Sequence, residues 1–194
     1  MKLCLKCGSV GNLSNEYGII PLGETTNDNV SLCKDSHIDS IIDIDENIAW
    51  DIFNLNKAGY KTRFSCAGHP YNKYTSFYVS FDKDYDDIQK YFNEYNPEYL
   101  ELEKDQYFYY RDDEDKCLGL MNQNDVSVET KDNFVFIDKY AYIIRSKYKG
   151  MIDDMYKEIH TSINDANAMI YHKNVLNDLR KLVCELCIKN KGRS

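Results

Sequence analysis

Apolar residues recur at helical spacing through Glu46-Asn-Ile-Ala-Trp-Asp-Ile-Phe-Asn-Leu-Asn-Lys-Ala-Gly59, and the pattern predicts a helix over residues 45–58. Asp45 stands as its N-cap and Gly59 as the residue just past its end. Trp50 falls in this reading on the buried stripe with Phe53. Alternation then takes over, and residues 60–66 and 76–81 read as strands. Helical spacing returns over 84–95 through Ile88, Tyr91, Phe92 and Tyr95, and Pro97 ends it. Residues 107–111, 117–121, 126–130, 134–137 and 141–146 follow as short strand candidates separated by Asp, Asn and Gly clusters. Two helices, 151–172 and 175–189, close the chain.

This order predicts an α+β fold, a mainly antiparallel sheet with flanking helices and two C-terminal helices, preceded by a small zinc-knuckle module. The expected division is a module over residues 1–40 and an α+β domain over 41–194. At 194 residues and 43% hydrophobic content the chain can bury a substantial core. No apolar run approaches the roughly 20 residues of a membrane span, and Met1-Lys-Leu-Cys-Leu-Lys-Cys-Gly8 lacks the apolar centre of a signal peptide. A cytoplasmic location is therefore expected. There, 7 cysteines read as metal ligands or single thiols rather than as a disulfide framework.

Cys4-Leu-Lys-Cys7-Gly8 carries the strongest chemical signal, since two thiolates two residues apart before a glycine form a knuckle suited to tetrahedral Zn²⁺. Two further ligands are needed, and three pairs can supply them. Cys33 with His37 closes a short loop. Cys184 with Cys187 repeats the spacing near the chain's end, and Cys66 with His69 is the third pair. Cys117, between Lys116 and Leu118, reads as a small apolar residue of the core, as Cys184 and Cys187 also can. His160 and His172, without partners at metal spacing, read as surface or internally satisfied histidines.

Phe64-Ser-Cys-Ala-Gly-His69 also permits other chemistry. Cys66 with His69 has the composition of a nucleophile and its base, for which Asp51, Asp82 and Glu129 are the available orienting acids. The Ala67-Gly68 turn, near Arg63, Ser65 and Lys73, can instead offer backbone amides to an anion. The third reading is structural, with Cys66 in the core and His69 holding the turn.

The stretch from Ile48 to His69 resembles a group of uncharacterised proteins of low-GC Gram-positive bacteria and their phages, in which Leu-Asn-x-x-Gly-Tyr precedes Ser-Cys-x-Gly-His. Many of these begin with a Cys-x-x-Cys knuckle too. The same stretch faintly resembles the third enzyme family of wybutosine synthesis, S-adenosylmethionine-dependent tRNA methyltransferases. Thr62, Ser65, Cys66 and Gly68 match, whereas His69 and Ala67 stand where that family has arginine and serine. The second resemblance implies a nucleic-acid-modifying enzyme working through Cys66, Gly68 and His69.

Charge points to a binding role instead. The net charge of −8 disfavours direct binding to nucleic acid, and it is concentrated in residues 82–115, with 13 acidic and 4 basic side chains. Seven of the 17 tyrosines share that segment. Asp112, Asp113, Glu114 and Asp115 beside Tyr107, Tyr109 and Tyr110 suit a protein partner with a basic nucleic-acid-binding groove. Together with the phage resemblance, this sets the expectation of an inhibitor of a host defence nuclease, similar in action to anti-CRISPR proteins.

Overall fold

The computed structural model describes residues 2–13, 19–20, 35–68, 77–127, 130–147 and 162–191. Among these residues, nine strands form two antiparallel sheets. β1 (Lys2–Cys4), β2 (Val10–Leu13), β3 (Ile19–Ile20) and β4 (Ile41–Asp43) make a small sheet in the order β3-β2-β1-β4. The larger sheet contains β5 (Thr62–Cys66), β6 (Tyr78–Phe81), β7 (Leu100–Tyr110), β8 (Gly119–Met121) and β9 (Phe134–Ser146), in the order β5-β6-β9-β7-β8. Among the described residues, three α-helices accompany them: α1 (Ala49–Lys57), α2 (Asp86–Tyr95) and α3 (Ser162–Lys191). The α+β expectation holds.

The larger sheet is built on the antiparallel pair β7–β9, which runs from Leu100 opposite Ser146 to Tyr110 opposite Phe134. Because the pleat has a period of two, each strand divides its residues between two faces. Val79, Phe81, Leu100, Tyr142 and Ile144 join the core with Ile52 and Leu55 of α1, Ile88 and Phe92 of α2, and Leu179, Leu182 and Leu186 of α3. Leu3 and Ile44 enter this same core, so the small sheet packs on the helices. The opposite face carries Phe64, Cys66, Tyr78, Ser80, Ile143, Arg145, Glu103 and Asp105, aligned by cross-strand register.

Several local expectations change. The strand candidates 134–137 and 141–146 are one strand, in which residues 137–139 form an irregularity between the pairs Phe108–Phe136 and Gln106–Tyr140 and the pairing with β7 resumes on both sides of it. Candidate 126–130 has no strand among its described residues; Asn122 caps a 3₁₀ turn just before it by accepting from the Asn124 amide. The two closing helices are continuous across residues 173 and 174 within α3, while residues 151–161 lie outside the described set. Asp45 caps nothing with its side chain. Gly59 does end α1, at φ +92°.

Trp50 is 57% exposed, contrary to its expected place in the core. At 100° per residue, Ala49, Asp51, Ile52, Phe53 and Leu55 sweep the inward arc of α1, and Trp50 falls outside it near Asn54 and Lys57. Cys117 is also exposed, in the turn after β7, where its amide donates to Asp113.

Asp51 sits on the buried arc, only 7% exposed, with the Arg180 guanidinium 3.9 Å away. Burial raises its carboxyl to about 6 against the opposing pull of Arg180. The folded chain thus holds this proton more tightly than the unfolded chain, so the associated stability is complete below about pH 4 and is lost as pH rises through about 6. Asp51→Asn is expected to stabilise the protein by about 1–3 kcal/mol at pH 7 and by little at pH 4. Urea denaturation at pH 4, 5, 6 and 7 checks this; a variant equally or less stable at pH 7 would refute it.

Candidate metal centre and the Cys66 loop

The knuckle forms where β1 ends. The Cys4 amide donates to Ser9 O and the Gly8 amide to Cys4 O, both at 2.9 Å, which folds residues 4–9 into a tight loop. Gly8 lies at φ +78°, and a Cβ there would come within 2.9 Å of the Phe53 ring. Glycine is therefore required both by conformation and by the aromatic ring of α1 beneath it. β4 pairs with β1, placing Ile41 opposite Cys4, and the Leu5 amide bonds Ser40 O at 2.9 Å. These links bring the 3₁₀ helix Asp35–Ser40, and with it His37, against the knuckle.

Cys4, Cys7 and His37 consequently present Sγ, Sγ and a ring nitrogen within 4.8 Å of one another, a grouping that could hold a metal ion. Cys4 Sγ lies 3.7 Å from His37 Nδ1. Metal–sulfur and metal–nitrogen bonds at zinc lengths and a tetrahedral angle would separate the two atoms by about 3.6 Å. Slight burial pushes the Cys7 thiol up, but the Ser9 side chain and amide, His37 and Cys4 outweigh it and bring it down to about 6. A thiolate at neutral pH is the form a metal takes.

Of the expected ligands, Cys33 lies outside the described residues. Cys184 and Cys187 lie on α3; Cys184 is exposed, and the Cys187 thiol points to Asn54 O at 3.6 Å. Among the described residues neither joins the knuckle cluster. Ser9 and Ser40 were not singled out from sequence, although the placement of Ser9 two residues beyond Cys7 was a usable signal.

His69 also lies outside the described residues, but the surroundings of Cys66 are clear. The Ala67 amide donates to Asp45 Oδ2 at 2.7 Å, and the Gly68 amide to Cys66 Sγ at 3.4 Å. Both amides expected to receive an anion are thus engaged by the chain, one of them by a carboxylate, which opposes the anion-cradle reading. His172 of α3 donates through Nε2 to Ala67 O at 2.7 Å, the satisfied histidine the sequence suggested. Burial pushes the Cys66 thiol up, and the nearby Asp45 adds to this against the Gly68 amide. A protonated thiol is a poor nucleophile. Of the expected orienting acids, Asp51 faces Arg180 and Asp82 accepts from Tyr85; Glu129 lies outside the described residues.

The acidic segment also divides. Asp84 pairs with Lys104, Asp87 accepts from Tyr60, Glu94 meets Lys189, and Glu103 and Asp105 hold Arg145. Asp113 takes the amides of Asp115 and Cys117 at 3.0 and 2.9 Å and so shapes the turn between β7 and β8. Asp112, Glu114 and Asp115 remain exposed at that turn. Tyr107 is fully buried and donates to Asp82 O at 3.0 Å, which removes it from the proposed contact surface. Tyr110 is 54% exposed, and Tyr109 is half-buried with the Lys116 ammonium 5.6 Å from its ring centre.

Elemental analysis of the purified protein is expected to give one metal ion per chain, with Cys4→Ser, Cys7→Ser and His37→Ala reducing it to a small fraction. Cys184→Ser and Cys187→Ser should retain it. The sole tryptophan, Trp50, stacks edge-on at 5.7 Å with Phe53, the ring beneath Gly8, so chelation should also shift its emission. Full metal content in Cys7→Ser would rule the site out.

Comparisons with known protein families, curated proteins and solved structures find no match for this chain.

Proposed function

We propose that the protein is a binding protein, stabilised by Zn²⁺ at Cys4, Cys7, His37 and Cys33, whose acidic turn docks on a basic protein surface. The observation that carries this reading is the convergence of Asp112, Glu114 and Asp115 on one exposed turn beside Tyr110. Asp84, Asp87, Glu94, Glu103 and Asp105 have partners within the chain, whereas these three carboxylates stand exposed together at one turn. Tyr110 packs against Phe134 at 5.0 Å between ring centres, which gives the charged tip an aromatic flank. Carboxylates next to partly exposed rings match the charges and flat groups that a nucleic-acid-binding groove accepts. A soft, nitrogen-and-sulfur donor set suits zinc.

The partner class is a nuclease with a basic groove, and inhibition by occupying that groove is the action this surface supports. RNA-guided effector nucleases are the first to test, by complex formation on size-exclusion chromatography and by cleavage assays. Affinity is expected to fall as salt rises from 0.05 to 0.5 M, about the range over which exposed charges become strongly screened. Replacing Asp112, Glu114 and Asp115 together by serine should weaken binding by about tenfold or more while metal content stays unchanged. Asp113 is left intact because it holds the turn. Inhibition that survives the triple substitution would remove this mechanism.

A further inference from the structure

The two edge strands of the larger sheet, β5 and β8, line a single cleft, which shows how far the sheet curls. Phe64 comes from β5, Tyr78 and Ser80 from β6, Ile143 and Arg145 from β9, and Gly119 and Leu120 from β8, around a volume of about 270 Å³. Cross-strand register builds it in two rows: Phe64, Ser80, Ile143 and Glu103 in one, and Cys66, Tyr78, Arg145 and Glu101 in the next. The helices cover the opposite face, so this interior belongs neither to the core nor to the knuckle.

Its chemistry is selective. Arg145 is held by Glu103, 2.6 Å from Nε, and by the fully buried Asp105, 2.9 Å from Nη2. A guanidinium fixed in this way keeps further N–H donors, since arginine carries five and accepts nothing. The three side chains together are negative by one charge, which works against a carboxylate or phosphate ligand, while the guanidinium itself repels cations. An uncharged ligand with hydrogen-bond acceptors is what remains. Ser80 adds no demand of its own, because its hydroxyl accepts from the Phe64 amide at 3.0 Å and donates to Phe64 O at 3.1 Å. Burial pushes the Tyr78 phenol upward, so at neutral pH it keeps a proton to donate.

The walls favour a flat ring. Phe64 is an aromatic side chain 39% exposed on the cleft, with Leu120 and Ile143 as apolar neighbours. Arg63 lies over both Phe64 and Tyr107, at 5.3 and 5.1 Å from their ring centres, and ties β5 to β7 beside the cleft. We infer that the cleft binds a free nucleoside through its base, an uncharged heterocycle whose ring carbonyl or ring nitrogen accepts from Arg145 and whose face lies against Phe64. The acidic character of the chain favours the free nucleoside over a base carried in a phosphodiester strand.

Ligand-observed saturation-transfer NMR and calorimetry with uridine, cytidine, guanosine and adenosine test this, with benzoate as a flat anion and single-stranded hexanucleotides as the strand form. At least one nucleoside should bind, and benzoate should not. Phe64→Ala removes an exposed ring and should weaken binding by about tenfold or more, the scale of one base–aromatic stack. Tyr78→Phe keeps the ring and should weaken it severalfold, which preserves the test should Phe64→Ala fold poorly. Silence from all four nucleosides at millimolar concentration overturns the inference, as does equal binding by both variants. Tighter, salt-sensitive binding of a hexanucleotide would overturn the free-nucleoside assignment.

Discussion

The pairing of Leu100–Tyr110 with Phe134–Ser146 governs where the remaining elements can go. It is the longest ladder among the described residues and lies inside the larger sheet, with β6 on one flank and β8 on the other. Its pleat sends Leu100, Tyr142 and Ile144 towards α2 and α3, and sends Glu103, Asp105, Ile143 and Arg145 the other way. A shift of one residue would exchange these sets, placing charges under the helices and aliphatic groups in the cleft. Register is therefore enforced by burial of both kinds, hydrophobic on one face and ion-paired on the other.

The helices are anchored to this sheet by polar contacts as well as by apolar ones. On α3, Asp178 accepts from the Tyr99 amide at 2.9 Å and His172 donates to Ala67 O, so the helix is tied to the larger sheet just before β7 and just after β5. Asp45 performs the corresponding task from the segment before α1 by taking the Ala67 amide. The Cys66 loop is thereby gripped from two sides. The Gly68 amide turns back to the Cys66 thiol, while Ala67 bonds Asp45 and His172, so residues 66–68 join the end of β5 to α3 and to the segment before α1.

Two other features outside that junction are the knuckle and the acidic turn. The knuckle connects β1 and β2, the inner strands of the small sheet, is supported by Phe53 under Gly8, and gathers Cys4, Cys7 and His37. The acidic turn stands at the far end of the β7–β9 pair, shaped by Asp113 and flanked by Tyr110. Metal binding at the first would stabilise the chain's N-terminal part and its contact with α1, while at the second Asp112, Glu114 and Asp115 stand exposed on the turn that Asp113 shapes.

Local periodicity was enough to place α1, α2, β5 and β6 and the α+β class, because each depends on residues a few positions apart. Cys4-x-x-Cys7-Gly8 was likewise legible, since knuckle geometry is set by five consecutive residues, and the proximity of His37 followed from a short loop. The small sheet was not, since strands such as Lys2–Cys4 and Ile41–Asp43 are too short to show alternation and exist through pairing. Trp50 was misplaced because one helical turn cannot say how wide its buried arc is, and the tyrosines of the acidic segment looked equivalent until Tyr107 turned inward to Asp82 O. The meeting of Arg145 with Glu103, Asp105, Phe64 and Leu120 lay furthest from reach. It joins residues from four strands through the curl of a sheet, and curl is a property of packing and twist that no stretch of sequence carries alone.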